Sequence, residues 1–195
     1  MLRTLAGLGI LSVVLLPSQV APQTIWNTIG AGRFGTAVDI GRQEDMNVEW
    51  AVALKFRDTF ELGSIGVSLS ASTGGGVVLE LTADDRNAPG ARIERFSTVD
   101  VRAGEPAMYT LTSAKHPRLE RETQYWLVVS AAGSARVRWW NTVDSWSSNT
   151  RLEARRENGQ AWQVVANPYI PGIIVRGQPV QRQVAKEANL HAGEQ

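Results

Sequence analysis

The sequence predicts an all-β protein, a two-sheet antiparallel β-sandwich of jelly-roll type with about eight to ten strands. Apolar residues recur at every second position over residues 65–71 and again over 77–83, which is the pattern of strands with one buried face. Short apolar stretches of this kind alternate with turn residues between residues 48 and 176. Helical spacing is nearly missing: residues 180–190 could form a short helix, but we expect a frayed tail there.

Turn residues separate the predicted strands. The segment 72–76 (Ser-Thr-Gly-Gly-Gly) divides the first two, and Pro89-Gly90 predicts a type II turn before the next strand. Further strands are predicted over residues 107–113, 135–140, 150–156, 161–165 and 172–177.

Two stretches depart from simple alternation. Phe96 is out of phase with Ile93 and Val99, so we expect a bulge or a two-sided strand at this point. Residues 123–131 are apolar on both faces, which predicts a central strand covered on both sides. We therefore expect Trp126, in the middle of that strand, to be buried.

Residues 1–21 have the features of a secretory signal peptide. Arg3 precedes an uncharged apolar run over residues 5–16, and Pro17 and small residues follow it. This run is shorter than the ~20 residues that a membrane-spanning helix needs. We expect cleavage between Ser18 and Gln23, and hence a secreted, extracellular protein; a retained N-terminal anchor is the alternative.

The remaining chain reads as one domain with two flanking segments. We expect a flexible, Gly-rich N-terminal segment over 22–47 leading into the domain, the β-sandwich over 48–178, and a flexible C-terminal tail over 179–195. The tail has no apolar run, so no stable membrane anchor is expected. Since the chain contains no cysteine, the hydrophobic core has to stabilise the fold without disulfides.

The charge balance argues against nucleic-acid binding. The chain has 20 basic and 19 acidic residues, and removal of Arg3 with the signal peptide leaves 19 of each. A neutral chain has no general attraction to a phosphate backbone. Nucleic acid is therefore not an expected partner.

The glycines at 30, 32 and 35 match the G-x-G-x-x-G pattern of dinucleotide-binding turns. That function needs a helix that opens at the third glycine, because the pyrophosphate sits on the helix N-terminus. Residues 36–50 contain Gly41 and no apolar stripe at helical spacing. We expect a Gly-rich segment without a nucleotide, and no cofactor.

Residues suited to catalysis are sparse, so we do not expect an enzyme. The two histidines, His116 and His191, are isolated from any nucleophile and acid in a recognisable order. Glu120 and Glu122 could form a glycosidase pair, but a solvated loop is the favoured interpretation.

No metal site is predicted. Clusters of His and Cys that would bind zinc do not occur in the sequence. Asp84, Asp85 and Asn87 offer oxygen ligands of the kind that Ca²⁺ takes, but we expect these side chains to cap a turn. Calcium at this turn stays open as the alternative.

The seven tryptophans are the most informative excess in the composition. We expect Trp50 and Trp162 to pack in the core or at a sheet edge. On the strand that begins at Arg136, alternation predicts a buried Trp139 and an exposed Trp140. Trp146 stands in a polar stretch without alternation.

Exposed indole rings beside Asn and Asp are suited to stacking on sugar rings and bonding their hydroxyls. The candidate glycan-binding residues are Trp140, Trp146, Asn141 and Asp144. The alternative is that these rings cover the open end of the sandwich.

Over residues 25–178 the chain resembles the choice-of-anchor family of exported bacterial β-domains, type R in particular. The resemblance rests on a turn ending in Pro-Gly and on a later Thr-x-Tyr-Trp-Leu segment, in this sequence Asp84, Asp85, Asn87, Pro89, Gly90 and then Leu119, Thr123, Tyr125, Trp126, Leu127. It implies an architecture and an exterior compartment, but no activity and no catalytic residues. Members often end in a sorting segment that this chain lacks, so free secretion is expected.

These observations together predict a secreted, non-catalytic structural or interaction domain of the bacterial cell exterior. Its expected partners are extracellular polysaccharide, other matrix polymers, or further copies of itself. A carbohydrate-binding module-like protein that uses its exposed tryptophans is the first alternative. A hydrolase whose site is assembled from scattered residues is the second.

Overall fold

The computed structural model describes residues 21–29, 34–142, 151–167 and 170–180. Within these ranges every regular element is a β-strand. The strands are β1 (Gln23–Asn27), β2 (Phe34–Gln43), β3 (Met46–Lys55), β4 (Phe60–Ala71), β5 (Gly75–Asp84), β6 (Pro89–Arg95), β7 (Val99–Val101), β8 (Ala107–Thr112), β9 (Arg118–Leu119), β10 (Gln124–Ala131), β11 (Arg136–Thr142), β12 (Arg151–Glu157), β13 (Gln163–Asn167), β14 (Ile170–Pro171) and β15 (Ile173–Pro179).

Nine of the 15 strands form one continuous antiparallel path in the order β1-β15-β4-β11-β2-β3-β10-β5-β6, which does not close into a barrel, and the other six pair beside this path. β2 and β3 pair only next to their connecting turn. Beyond it they part, so that β2 pairs with β11 while β3 pairs with β10 and β12. Side chains from both halves of this path meet in one core. The expected all-β sandwich is therefore confirmed, and its jelly-roll connectivity stays a prediction.

The strand count exceeds the expectation of about eight to ten, since the described residues form 15 strands. Two of them, β1 and β2, lie in the segment 22–47, for which the sequence predicts a flexible lead into the domain. β2 occupies an interior place in the sheet, between β11 and β3. Several others, such as β9 and β14, contain only two residues and leave no periodic pattern in the sequence.

The stretch around Phe96 contains the expected irregularity. The β5–β6 ladder shifts register on both sides of Thr82, and β6 ends at Arg95. Phe96 then points into the core, where Val99 also packs. A bulged ladder followed by a break explains how residues of opposite phase reach the same core.

The turn before β6 differs from the predicted type II turn. Asp85 and Ala88 exchange backbone hydrogen bonds of 2.8 and 3.1 Å. The two residues between them, Arg86 and Asn87, both have positive φ, 53° and 65°. Positive φ at both central residues is the type I′ pattern, which suits the twist of a two-residue hairpin. Pro89 therefore lies in β6, not in the turn.

The main core lies between the two halves of the path and follows the alternation of the sequence. Along β4, Ile65, Val67 and Leu69 point inward. Ser68 and Ser70, which alternate with them, point to the outer face. The largest fully buried side chains include Trp139, Phe60, Ile40, Leu54, Leu62, Leu79, Leu81 and Leu127.

Aromatic rings pack at one end of this core. The ring of Phe56 meets that of Phe60 edge-on at a centroid distance of 4.9 Å, and that of Trp26 at 6.1 Å. Tyr125 lies 6.4 Å from Phe56, and its hydroxyl accepts the Glu120 N–H at 2.9 Å. Edge-to-face contacts of this kind add stability beyond the buried area.

A second, smaller apolar cluster lies on the opposite face of β10. Trp126 is fully buried there with Ala51, Val128 and Ala154, and Trp162 packs against them. The expectation that the strand over 123–131 is covered on both sides is confirmed.

Polar groups border this second cluster. The indole N–H of Trp126 donates to Asp84 Oδ1 at 2.7 Å. Arg156 lies 4.5 Å above the Trp162 ring and donates to Glu49 Oε2 from two nitrogens. The cluster therefore has a charged rim that ties β12 to β3.

The structure has a strand at the position where a dinucleotide site would need a helix. Gly35 lies inside β2, a ten-residue strand that pairs with β11. The glycines at 30 and 32 fall outside the described residues. No helix of the length and hydrophobicity needed to cross a bilayer occurs in the described part of the chain.

Substitution Trp126→Ala is expected to lower the free energy of unfolding by about 3–5 kcal/mol, because it removes a fully buried indole and its hydrogen bond. Trp126→Phe keeps a ring and removes chiefly the hydrogen bond, so we expect a smaller loss of about 1–2 kcal/mol. Urea denaturation of both variants measures the difference. A loss below about 1 kcal/mol for Trp126→Ala would contradict the burial of this side chain.

Candidate functional site

The outer face of β11 carries Arg136, Arg138 and Trp140, as alternation predicts. Trp139, on the inner face, is buried, and that expectation is confirmed. Trp140 is half-buried instead of exposed. Its indole N–H donates to Ser70 Oγ at 2.8 Å, so the ring is held against β4.

Small residues on β4 make room for this ring. Gly66, Ser68 and Ser70 follow one another on the outer face of β4, and all three are buried although they face away from the core. Met108 reaches over Gly66 from β8, on the other side of the row. Trp140 and Met108 are thus the larger side chains that lie against this buried row of small residues.

Asn141 does not belong to this face. Neighbouring residues of a strand point to opposite sides, so Asn141 faces inward when Trp140 faces outward. Its side chain is 2% exposed and its amide nitrogen donates to Thr36 Oγ1 at 3.0 Å. Asn141 therefore cannot serve as a surface partner of Trp140. The other two candidates, Asp144 and Trp146, lie outside the described residues.

A polar groove of about 370 Å³ lies along the same face of β11. Arg138 donates to Asp39 on β2 at 3.2 Å, and both side chains are about 60% exposed. The lining residues come from β2, β11 and the connections beside them, and they are mostly polar: Asp39, Gln43, Glu44, Ser72, Arg136 and Arg138, with the apolar Ile40 and Val137. This groove offers charged and neutral hydrogen-bonding groups. Trp140 is not among its lining residues and follows Arg138 by two positions on the same face of β11.

The sequence did not single out Glu94, a carboxylate that is 1% exposed. Its Oε2 accepts the Ser113 hydroxyl at 2.6 Å, and its Oε1 accepts the backbone N–H groups of Ala114 and Lys115 at 2.7 and 3.2 Å. Ser113 Oγ in turn accepts the His116 backbone N–H. Glu94 thus fixes the turn after β8. The out-of-phase Phe96, two residues further on, was the available signal that this position faces inward.

The imidazole of His116 takes no part in that network. Its Nδ1 lies 3.0 Å from the Leu62 carbonyl oxygen, which fixes the proton on Nδ1. His116 has φ of 47°, as a turn residue would. Ser113, His116 and Glu94 therefore do not form a nucleophile-base-acid relay, because the imidazole is bonded elsewhere.

Glu120 and Glu122 do not form a pair. Glu120 accepts Arg118 at 2.8 Å and Thr59 at 3.1 Å, while Glu122 meets Lys55 at 3.1 Å. The two carboxylates have separate surface partners, as expected for a solvated loop.

Asp84 caps its turn, which is what we expect from the sequence for this residue. Oδ1 accepts Gln124 Nε2 at 2.6 Å and Trp126 Nε1 at 2.7 Å, and Oδ2 accepts the Asn87 N–H at 3.2 Å. These donors bond the same carboxylate oxygens of Asp84 that a calcium ion would need as ligands. No group of three His, Cys, Asp or Glu residues suited to a metal occurs within the described ranges.

The environment of Asp84 also lowers the pKa of its carboxyl group. Burial by itself would raise the pKa of the carboxyl, but the hydrogen bonds from Trp126, Asn87 and Gln124 outweigh it and lower the pKa. The Asp84–Trp126 bond joins the two motifs on which the resemblance to choice-of-anchor domains rests.

Comparison of the chain with models of known protein families and with curated proteins gives no match. What the fold and the site define is an all-β sandwich with a half-buried tryptophan and a polar groove on the outer face of one layer.

Asp84→Asn is expected to destabilise the protein at neutral pH and to lose this effect in acid. Because the pKa is lower in the folded state, the charged carboxylate stabilises the fold above the unfolded pKa of about 4, and this contribution disappears as the pH falls through the folded pKa. Urea denaturation of both proteins between pH 7 and pH 2.5 measures the difference. Asp85→Asn removes the same charge without touching Trp126 and serves as the control. A constant difference across the pH range would contradict the role of the carboxylate.

Proposed function

We propose that this chain is a secreted, non-catalytic interaction domain of the bacterial cell exterior, related to the choice-of-anchor domains. The proposal rests on one observation: the side chains that could act in catalysis are engaged in structural hydrogen bonds. Glu94 and Ser113 fix the turn after β8, and the His116 ring is bonded to the Leu62 carbonyl. Asp84 accepts hydrogen bonds from Asn87 in its own turn and from Trp126 on β10. Groups so committed support a scaffold that presents surfaces, and not a reaction centre.

The fold supports the same conclusion. A sandwich with hairpins at both ends presents broad faces and strand edges, which are the surfaces that non-catalytic β-domains use for contacts. The outer face of β11 contributes a groove whose arginine and aspartate carry opposite charges, in keeping with a chain of near-zero net charge. Such a groove suits a neutral polar ligand better than a polyanion.

Export of the protein is expected to remove about the first 21 residues, because a charged residue, a short apolar run and small residues are what signal peptidase recognises. N-terminal sequencing of protein from the culture medium should start between residues 19 and 23. Leu11→Arg, which interrupts the apolar run, should keep the protein inside the cell. Wild-type protein that begins at Met1, or that stays in the cell, would refute the proposed compartment.

Carbohydrate binding is the second candidate function, and the groove on the outer face of β11 favours it. Arginine and aspartate side chains at a groove of this size can bond sugar hydroxyls, while an indole wall can stack on a sugar ring. The exposed part of Trp140 would have to provide that wall. Because its N–H is bonded to the buried Ser70, Trp140→Ala would also cost stability, about 1–3 kcal/mol, and this makes the arginines the better probes.

Arg138→Ala is therefore expected to weaken retention on polysaccharide while leaving the melting temperature nearly unchanged, since exposed ion pairs contribute little to stability. Arg92→Ala on β6 is the matched control, because Arg92 is also exposed and also paired with a carboxylate, Glu80. Affinity electrophoresis on soluble glucans, xylans and galactans, run beside thermal melts, compares the two variants. Equal retention of both variants and the wild type would reject the groove as the glycan site. No retention of the wild type would leave the interaction domain without this ligand.

A further inference from the structure

Among the described residues, β13 is an edge strand of the sheet. Its only described partner is β12, with the register Arg151↔Asn167 to Arg155↔Gln163 and no shift between them. A regular edge strand presents a row of unpaired N–H and C=O groups, which is a template for another strand. The edge at β6 differs, because its ladder is broken by two register shifts.

The residues of β13 do not protect this edge. Its sequence, Gln-Val-Val-Ala-Asn, has no charge and no proline, whereas β6 contains Pro89, Arg92, Glu94 and Arg95. Val164 and Val165 are 40% and 43% exposed, among the most exposed large apolar residues of the described chain. Since neighbouring residues of a strand face opposite sides, apolar surface is exposed on both faces of this edge.

Two of the arginines on the neighbouring strand β12 are paired with carboxylates of the same chain. On β12, Arg155 lies 2.6 Å from Glu157, and Arg156 lies 2.6 Å from Glu49. β13 itself carries no charge, so the same strand of a second copy can approach it without like charges meeting on the two strands. This property favours a neutral, apolar partner, and a copy of the same edge is such a partner.

We propose that β13 pairs antiparallel with β13 of a second copy of this chain, centred on Val165. This inference rests on the proposed interaction function and names its partner. An antiparallel pair of identical strands has two-fold symmetry, so the same residues contact each other from both sides. Val165 stands opposite its own copy, and the ladder continues from β12 of one protomer to β12 of the other.

The size of this contact sets the expected strength of association. Five residues of edge strand bury less than the roughly 1,200 Å² typical of stable complexes. The dimer is therefore weak and dependent on concentration. A weak contact of this kind becomes effective wherever several copies are brought close together, because the local concentration is then high.

Sedimentation equilibrium of the mature protein from about 10 μM to 1 mM tests the proposal, with dimerisation expected in the upper part of this range. Val165→Lys places two positive charges opposite each other and should weaken dimerisation at least about tenfold. Val165→Glu should have the same effect. An equimolar mixture of the two variants should restore dimerisation, because Lys then faces Glu.

The controls separate this contact from others. Met46→Lys adds the same charge at another exposed apolar residue, at the start of β3, and should leave dimerisation unchanged. Hydrogen exchange on the wild type should show slower exchange of β13 amides as the concentration rises, which needs no variant to fold. Thermal melts verify that each variant is folded.

Each outcome has a distinct meaning. A wild type that stays monomeric at 1 mM, or β13 amides whose exchange does not depend on concentration, would overturn the pairing of β13. A dimer that Val165→Lys does not weaken, or that the Lys and Glu mixture does not restore, would overturn it as well. Neither result touches the proposed interaction function, which fails separately if the protein is not exported.

Discussion

The rest of the structure depends on the pairing of β4 with two strands, β15 and β11, along the same edge. β4 pairs with β15 over residues 60–67 and with β11 over residues 69–71, while β8 occupies the opposite edge. Ser68 lies where the ladder passes from one partner to the other. Its N–H donates to the Gly172 carbonyl at 3.0 Å and its Oγ donates to the Trp140 carbonyl at 2.8 Å. The Gly172 N–H donates to that same Trp140 carbonyl, so both backbones are fixed at one point.

This junction explains why small residues occur there. Ser68 is fully buried, and a buried hydroxyl without a partner would cost about 1–3 kcal/mol. Gly172 has no side chain, and a Cβ at that position would collide with Ser68 Oγ. The close approach of three strands therefore requires a glycine on one side and a small hydrogen-bonding residue on the other. A second junction, at the end of β1, uses Thr28 in the same way, because its hydroxyl accepts the Ile173 N–H and donates to the Pro171 carbonyl.

The same junction accounts for what could and could not be read from the sequence. Alternation along single strands was enough to predict the buried Trp139 and the all-β class, and a stretch that is apolar on both faces was enough to predict the buried Trp126. It could not predict that Trp140 would lie against Ser70, because that contact depends on which strand is next to β11. Asn141 could have been placed correctly, since the alternation that sends Trp140 outward sends its neighbour inward. Glu94 was missed because a carboxylate in a strand is ordinarily exposed, and only the turn at 113–116, distant in sequence, provides its donors.

The two surfaces proposed for binding do not overlap. The groove is lined from β2, β11 and the residues beside them, whereas the pairing edge belongs to β13 alone. The turn between β2 and β3 is nevertheless fixed to the turn between β12 and β13, since Asn47 and Asn158 exchange hydrogen bonds of 2.8 and 2.9 Å. Dimerisation through β13 would therefore leave both grooves open and hold them in a defined relation. Two weak sites held in this way bind a repetitive polymer more tightly than one, because the second contact is made at a high effective concentration. The proposed self-association and the proposed polysaccharide binding are thus compatible on one scaffold, and each would strengthen the other on a shared polymer.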